Sequence, residues 1–280
     1  MDDKETVEEK AFRANPVLLV PVAASLIISV ICAYLIAVSE IDFPSVTPLP
    51  EAGFGPIGNA AIFVALTGIG ASMIYLFLKR KMRWLIRSLI IFAITVVMFF
   101  LSNVYLWTLL SLLNLADIEL FAFTGAILVT VVVDLELFAL HNIGGEIVLL
   151  ILGGALGTFL GAAITTLSAV LILLFLAAYD VVAVFRGPVG KIATEGLEYL
   201  RGLSFSFRDI QMGLGDLTFY SMLVGHAWIF FGAWASLGGV VGVLAGSFLS
   251  FKMLERKGMF PGLPFSIILG LLGVFTVVAL

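Results

Sequence analysis

The stretch Gly213-Leu214-Gly215-Asp216 opens an apolar run that continues to residue 231. A carboxylate at the mouth of a membrane segment is energetically unfavourable, so Asp216 is a candidate functional residue that needs a partner. The best partner is Asp180, which follows Tyr179 near the end of the preceding apolar run, residues 165–185. If these two runs form neighbouring antiparallel helices, we expect the two carboxylates to lie at similar depth near one face of the membrane.

The composition is that of a polytopic membrane protein. Of the 280 residues, 61% are hydrophobic and 12% are charged, whereas a soluble domain is about half apolar and about one-quarter charged. The net charge of -4 and the lack of a basic stripe argue against a nucleic-acid partner. The single cysteine, Cys32, has no second cysteine with which to form an internal disulfide.

The apolar runs predict nine transmembrane helices and therefore an all-α fold, because a span needs about 20 apolar residues. The first thirteen residues are polar and mainly acidic, unlike a secretory signal, so we expect the first run to remain as a span. The predicted spans are 17–38, 57–78, 84–106, 120–140, 147–163, 165–185, 214–231, 233–251 and 263–280.

The basic residues test this count independently. All 15 fall into four places, which nine crossings put on one side of the membrane; by the positive-inside rule that side is the cytoplasm. We therefore predict a multi-pass cell-membrane protein with a cytoplasmic N-terminus and an extracytoplasmic C-terminus. The four places are the N-terminal tail, residues 79–87, residues 186–208 and residues 252–257.

The predicted organisation has four parts: a cytoplasmic tail (1–16), helices one to six (17–185), a cytoplasmic loop (186–212) and helices seven to nine (213–280). The loop starts with Gly187-Pro188, which ends a helix. Its later part, residues 203–207, alternates apolar and polar as a short strand does. One interpretation is a loop whose phenylalanines dip into the membrane interface; the other is a strand edge that pairs with an extended peptide.

Small residues recur at a spacing of four in two of the predicted spans. Rows of this kind let helix backbones approach closely in lipid, so we predict packing inside the chain, with a homo-oligomer face as the alternative. The two rows are Gly153, Gly157 and Gly161, and Gly238, Gly242 and Gly246.

Two neighbouring carboxylates do not both ionise easily, so one keeps a proton while the other acts as a base. Such a pair can activate water against an amide without any metal or cofactor. Gly213 and Gly215 leave room beside Asp216 for a substrate backbone or a neighbouring helix. Tyr179 is expected to position Asp180, line the cleft or anchor the helix at the interface.

Other arrangements of polar residues fit catalysis less well. The sequence has no His-Glu-x-x-His zinc motif and no Gly-x-Ser-x-Gly elbow. His226 lies about 15 Å along its helix from Asp216, so we interpret it as a packing residue. We expect Asp134 to pair within the bundle and Glu136 to reach headgroup water, with a proton or ion path as their alternative role.

The chain resembles the presenilin and signal peptide peptidase family of intramembrane aspartyl proteases, the Gly-x-Gly-Asp type, and most closely its archaeal presenilin homologues. The resemblance lies in Tyr179-Asp180, in Gly213-Leu214-Gly215-Asp216 and in Pro261-Gly262-Leu263 before the last span. The nine-span layout and the long cytoplasmic connection also match, as does the cytoplasmic N-terminus of the presenilin branch. The family usually has Pro-Ala-Leu where this chain has Pro261-Gly262-Leu263.

This resemblance implies that Asp180 and Asp216 are the catalytic pair and that Pro261, Gly262 and Leu263 shape the active site. We therefore predict an intramembrane aspartyl protease that acts on the transmembrane helices of other proteins within the lipid bilayer. We do not expect accessory subunits to be required. Two alternatives remain open: a secondary transporter that uses Asp134, Asp180 and Asp216 as proton or cation ligands, and a non-catalytic scaffold for membrane helices.

Overall fold

The chain folds into a bundle of helices with one small hairpin. A computed structural model describes residues 12–39, 43, 45–113, 117–140, 143–186, 202–208 and 210–280. Within these residues the helices are Val20–Ser39 (α1), Gly55–Lys79 (α2), Arg83–Leu112 (α3), Ile118–Asp134 (α4), Ile143–Ala163 (α5), Thr166–Phe185 (α6), Leu214–Phe231 (α7), Ala233–Lys257 (α8) and Leu263–Ala279 (α9). A 3-10 turn, Pro16–Leu19, leads into α1, and a π-helical turn, Leu135–Leu140, extends α4.

Each predicted span corresponds to one of these helices, but several helices are longer than predicted. α3 reaches Leu112 instead of residue 106, α5 begins at Ile143 instead of residue 147, and α8 reaches Lys257 instead of residue 251. The prediction followed the apolar runs, whereas a helix can continue into the headgroup region beyond the hydrocarbon. The 30 residues of α3 would extend about 45 Å, against a hydrocarbon core of about 30 Å.

The helices have the dimensions of membrane spans. Among the described residues, α1 to α6 and α8 are long and apolar enough to cross a membrane. α9 is a shorter apolar helix of 17 residues, and α7 carries Asp216 and His226 in an otherwise apolar sequence. The protein is therefore a helical, multi-pass membrane protein.

α7 lies at the centre of the packing. It contacts α1, α5, α8 and α9, and most of its residues between Leu217 and Ala227 are buried. α2 lies at the periphery, where its main neighbour is α6. The helix that carries Asp216 is thus enclosed by other helices, whereas α2 packs mainly against α6.

The two glycine rows pack inside the chain, as predicted. A Cβ placed on Gly161 would lie 2.7 Å from the Met222 carbonyl oxygen of α7, and one on Gly157 would clash with the backbone of Thr218. In α8, a Cβ on Gly238 would lie 2.5 Å from the carbonyl oxygen of Gly273 in α9. These glycines let the backbones of α5 and α7, and of α8 and α9, lie in direct contact. Both rows therefore face neighbouring helices of the same chain, as the packing interpretation predicted.

A hairpin precedes α7. Ser204–Phe207 (β1) pairs antiparallel with Ile210–Gly213 (β2), and Phe205 lies opposite Met212. Phe205 and Met212 are buried, whereas Ser206 and Gln211, on the other face, are exposed. The interpretation of 203–207 as a strand is therefore confirmed for Ser204–Phe207; Phe205 is buried within the protein and Phe207 is half-buried. Gly187-Pro188, the predicted start of this connection, lies outside the described residues.

Candidate active site

Asp180 lies near the C-terminal end of α6 and is half-buried. Its Oδ2 accepts a hydrogen bond of 3.1 Å from the backbone N–H of Leu263, the first residue of α9. The first N–H groups of a helix have no partner within the helix. Asp180 therefore caps α9, at the end where the helix dipole favours a negative charge.

Asp216 lies in the first turn of α7, directly after β2. A Cβ placed on Gly262 would come within 2.9 Å of Asp216 Oδ2, so this carboxyl group lies against the backbone that leads into α9. The two aspartates are near enough to interact electrostatically. The structure thus brings both carboxyl groups to one short segment, Gly262-Leu263.

The segment Pro261-Gly262-Leu263 has its own hydrogen bonds. The Gly262 carbonyl oxygen accepts from Tyr220 Oη of α7 at 3.0 Å, from Ser266 Oγ of α9 at 3.1 Å and from Ser250 Oγ of α8 at 3.3 Å. Sequence reasoning missed these three hydroxyl groups. Each comes from a different helix, and a single Tyr or Ser in an apolar run has no periodic signal. The spacing of four between Gly262 and Ser266 is the one local hint.

The glycines of Gly213-Leu214-Gly215 leave space beside Asp216, as predicted. Among the described residues, a Cβ on Gly213 or Gly215 would meet nothing closer than 3.8 Å, so none of the described helices fills this position. Leu214 is buried, and its N–H donates to the Leu203 carbonyl oxygen at 2.7 Å, which joins the hairpin to α7. The predicted close approach of a neighbouring helix is thus not seen among the described residues, and the role of this space for a substrate backbone stays a prediction.

Tyr179 faces an open groove between α2 and α6. The groove has a volume of about 650 Å³, and the Tyr179 ring lies 3.6 Å from a Cβ placed on Gly68 of α2. The residues that line it are largely small or apolar: Ala65, Gly68, Ile69, Ser72, Met73, Leu76, Tyr179, Val182 and Ala183. Tyr179 therefore lines a cleft next to Asp180, as one of its predicted roles required.

A smaller cavity lies on the other side of Asp216. It measures about 80 Å³ and is lined by polar and apolar groups, among them Asp216, Tyr220, Ser250 and Gln211. A single water needs about 10–15 Å³ of such space and two or more polar partners. The cavity is therefore large and polar enough to hold several waters beside the Asp216 carboxyl group.

Three other polar residues that the sequence singled out, His226, Asp134 and Glu136, are not among the described residues that contact this segment. His226 is buried between the Gly161 carbonyl oxygen, 2.7 Å from Nδ1, and Thr166 Oγ1, 3.1 Å from Nε2, so the predicted packing role is confirmed. Asp134 Oδ2 accepts from Thr95 Oγ1 at 2.7 Å, as expected of a pair within the bundle. The expectation that Glu136 reaches headgroup water is wrong for its Oε2 atom, which is buried and has no hydrogen-bond partner among the residues that the structure describes. The π-helical turn that carries Glu136 packs against Gly145 of α5.

Comparisons with known proteins add a likeness of fold. No model of a known protein family matches the sequence, and no curated protein matches it. A solved structure of a presenilin family intramembrane aspartate protease, in space group C222, matches with a TM-score of 0.66 and 20% identity over 95% of this chain and 99% of that chain. A second structure of such a protease, in space group P2, matches with a TM-score of 0.62 and 21% identity over 94% and 96%. The chain therefore has the fold of these presenilin family proteases, in agreement with the resemblance seen in its sequence motifs.

Proposed function

We propose that this protein is an intramembrane aspartyl endopeptidase, in which Asp180 and Asp216 hydrolyse peptide bonds within the transmembrane helices of other membrane proteins. The observation that carries the proposal is the convergence of both carboxyl groups on Gly262-Leu263. The fold shared with presenilin family proteases supports it.

The chemistry follows from a pair of carboxyl groups that share one proton. The ionised aspartate takes a proton from a water molecule, whose oxygen attacks the carbonyl carbon of the scissile bond. The protonated aspartate donates its proton to the carbonyl oxygen, which gives a tetrahedral diol. Collapse of the diol breaks the C–N bond as a proton passes to the leaving nitrogen. The cavity beside Asp216 is a source for the water.

The groove between α2 and α6 is the proposed path of the substrate. It is open along α2, whose main neighbour is α6, and it is lined by Tyr179, the residue that precedes Asp180 in the chain. Its lining of small and apolar residues fits the surface of a helix that arrives laterally from lipid. In this role Tyr179 forms the boundary between the groove and the catalytic pair.

The substrate helix must unwind at the scissile bond, because a helix keeps its amides in internal hydrogen bonds that need new partners in lipid. The sequence pointed to β1 as a strand that supplies such partners. In the structure, the N–H of Ser206 in β1 is already donated to Glu146 of α5 at 3.2 Å. β2 runs directly into α7, so its outer edge, with Gln211 and Gly213, is the better candidate for pairing with an extended substrate.

In this proposal α7 and α9 also cross the membrane, which gives nine spans with a cytoplasmic N-terminus and an extracytoplasmic C-terminus. The N–H of Ala14 donates to Glu255 Oε2 at 3.0 Å, which brings the N-terminal tail to the end of α8. Both regions carry basic residues, as the positive-inside rule requires of one cytoplasmic face. Both carboxyl groups of the proposed pair lie within one chain, which supports the part of the proposal that the chain acts without accessory subunits.

The test is cleavage of a purified single-span substrate by the wild-type protein and by Asp180→Asn, Asp216→Asn and Asp134→Asn. We expect each of the first two changes to lower turnover by at least about 10³-fold, because each removes one half of the acid–base pair. Asp134→Asn is the matched control, as it removes an intramembrane carboxylate that lies outside the pair. Near-normal turnover in Asp180→Asn or Asp216→Asn would refute the assignment. Solute uptake that depends on Asp134, without peptide products, would favour the transporter alternative.

A further inference from the structure

Three hydroxyl groups from three helices meet at one backbone oxygen, the Gly262 carbonyl. Tyr220, Ser250 and Ser266 all donate to it, at 3.0, 3.3 and 3.1 Å. The three residues are almost completely buried, at 1%, 5% and 0% exposure. A carbonyl oxygen has two lone pairs, so three donors are more than it needs for ordinary satisfaction. The three hydroxyl groups therefore hold the orientation of this carbonyl group more firmly than a single hydrogen bond of a helix turn would.

The opposite end of the same peptide unit holds Asp180. The C=O of Gly262 and the N–H of Leu263 belong to one planar trans peptide, in which the two groups point in opposite directions. Because the oxygen is directed into the hydroxyl cluster, the N–H is directed away from it, and there it meets Asp180 Oδ2 at 3.1 Å. The orientation of this one plane therefore sets the hydrogen bond from the N–H of Leu263 to Asp180 Oδ2.

We propose that Tyr220, together with Ser250 and Ser266, is a positioning residue for catalysis: the hydroxyl cluster orients the Gly262–Leu263 peptide so that its N–H holds the Asp180 carboxyl group towards Asp216. This inference rests on the proposed function. It assigns a role to three residues that never touch the reacting bond and that act through the peptide plane.

The cluster also connects the elements that carry the site. Tyr220 lies one helical turn after Asp216 on α7, and Ser266 lies one turn into α9 and contacts Ser247 of α8 at 3.0 Å. A rotation of the peptide plane would therefore change the distance between the two carboxyl groups without unfolding a helix. Loss of a hydroxyl should disturb transition-state binding more than substrate binding.

The experiment compares Tyr220→Phe with Tyr105→Phe in the full-length protein. Both changes remove only a hydroxyl, and the Tyr105 hydroxyl also donates to a backbone carbonyl, that of Ala155, at 2.7 Å. A second matched pair is Ser250→Ala and Ser236→Ala, because Ser236 of α8 donates to the Val224 carbonyl oxygen at 2.9 Å, far from the site. The readouts are kcat, KM and the affinity for a hydroxyethylene transition-state mimic. Titration with the same mimic gives the amount of active protein in each preparation.

We expect Tyr220→Phe to lower kcat and the affinity for the mimic by about tenfold each, with KM changed by less than about twofold. Ser250→Ala should have a smaller effect, because its hydrogen bond of 3.3 Å is longer than the bond of 3.0 Å from Tyr220. The double variant Tyr220→Phe/Ser250→Ala should lose more than the product of the two single losses. Tyr105→Phe and Ser236→Ala should leave the mimic affinity unchanged.

A purely structural role for the cluster predicts a different result. In that case Tyr220→Phe would reduce the amount of active protein, while the remaining active protein would bind the mimic with wild-type affinity. That outcome would overturn the inference and leave the proposed function intact. A wild-type protein that neither cleaves the substrate nor binds the mimic would overturn both.

Discussion

At the scale of residues, the central feature is a short backbone segment shared by two acidic side chains. Asp180 accepts from the N–H of Leu263, and Asp216 lies against Gly262. A carboxylate in the apolar part of a membrane is costly unless it is hydrogen-bonded or neutralised. The N-terminus of α9 stabilises the charge of one carboxyl group. Because the two groups share a proton, the second carboxyl group does not have to carry a charge. The segment therefore lowers the free-energy cost of placing the two carboxyl groups in the membrane and, in the proposed function, leaves them able to react.

Gly262 is the residue at which this chain differs from the Pro-Ala-Leu pattern of the family that its sequence resembles. A Cβ there would lie 2.9 Å from Asp216 Oδ2, closer than van der Waals contact allows, so the carboxyl group would have to rotate. We predict that Gly262→Ala lowers kcat/KM about fivefold with little effect on thermal stability, because the clashing atom is the end of a flexible side chain. Cleavage assays and thermal melts of the purified variant measure both quantities. Unchanged or faster cleavage would contradict this packing.

The sequence was informative for residues that stand out chemically and uninformative for those that do not. Asp180 and Asp216 are conspicuous because carboxylates are rare in apolar runs, and His226 could be set aside because of its distance along the helix from Asp216. Tyr220, Ser250 and Ser266 could not be identified in this way. Their role depends on the meeting of α7, α8 and α9 at one carbonyl oxygen, which no spacing within a single helix encodes.

At the scale of elements, the glycine rows determine how closely α7 can approach its neighbours. Gly153, Gly157 and Gly161 present bare backbone to α7, and α7 places Asp216. The apolar runs predicted the helices well because hydrophobic length is a direct requirement of the bilayer. Only the first strand of the hairpin could be predicted. Residues 203–207 alternate between apolar and polar, whereas Ile210–Gly213 overlaps the Gly-x-Gly-Asp motif and leaves too few residues outside it to show such an alternation.

We predict that Gly157→Ala destabilises the protein by about 2 kcal/mol or more, because the added methyl group would meet the backbone of Thr218 and Met222, which cannot move aside. Gly70→Ala in α2 is the matched control, since a Cβ there would meet nothing within 4 Å. That change should leave stability unchanged or raise it slightly. Thermal melts of both variants in the same detergent measure this difference in stability. Equal stability of the two variants would show that α5 and α7 are not in direct backbone contact.

At the scale of the whole molecule, the helices form an enclosed centre around α7 and a less enclosed periphery at α2. α7 is enclosed by α1, α5, α8 and α9, whereas α2 has α6 as its main neighbour. A protease that admits a helix from lipid needs both properties: fixed catalytic groups and one side that opens. The groove beside Tyr179 lies on the peripheral side, where α2 and α6 meet.

The proposed orientation makes a separate prediction about the membrane faces. With Cys32→Ser as the background, a single cysteine at Lys81, in the turn between α2 and α3, should react with a membrane-impermeant reagent only from the cytoplasmic side. A cysteine at Ala52, in the connection between α1 and α2, should react only from the opposite side. Both positions are exposed in the structure. Labelling of both positions from the same side would contradict the topology.

The most direct test of the account is whether Asp180 and Asp216 form one site. Equilibrium binding of a hydroxyethylene transition-state mimic can be measured with purified wild-type protein, Asp180→Asn, Asp216→Asn and the double variant. The hydroxyl of the mimic takes the place of the attacking water between the two carboxyl groups, so each single variant should lose at least about 100-fold in affinity, and the double variant should lose little more than either alone. Wild-type affinity in either single variant, or losses that simply multiply in the double variant, would show that the two aspartates do not act together.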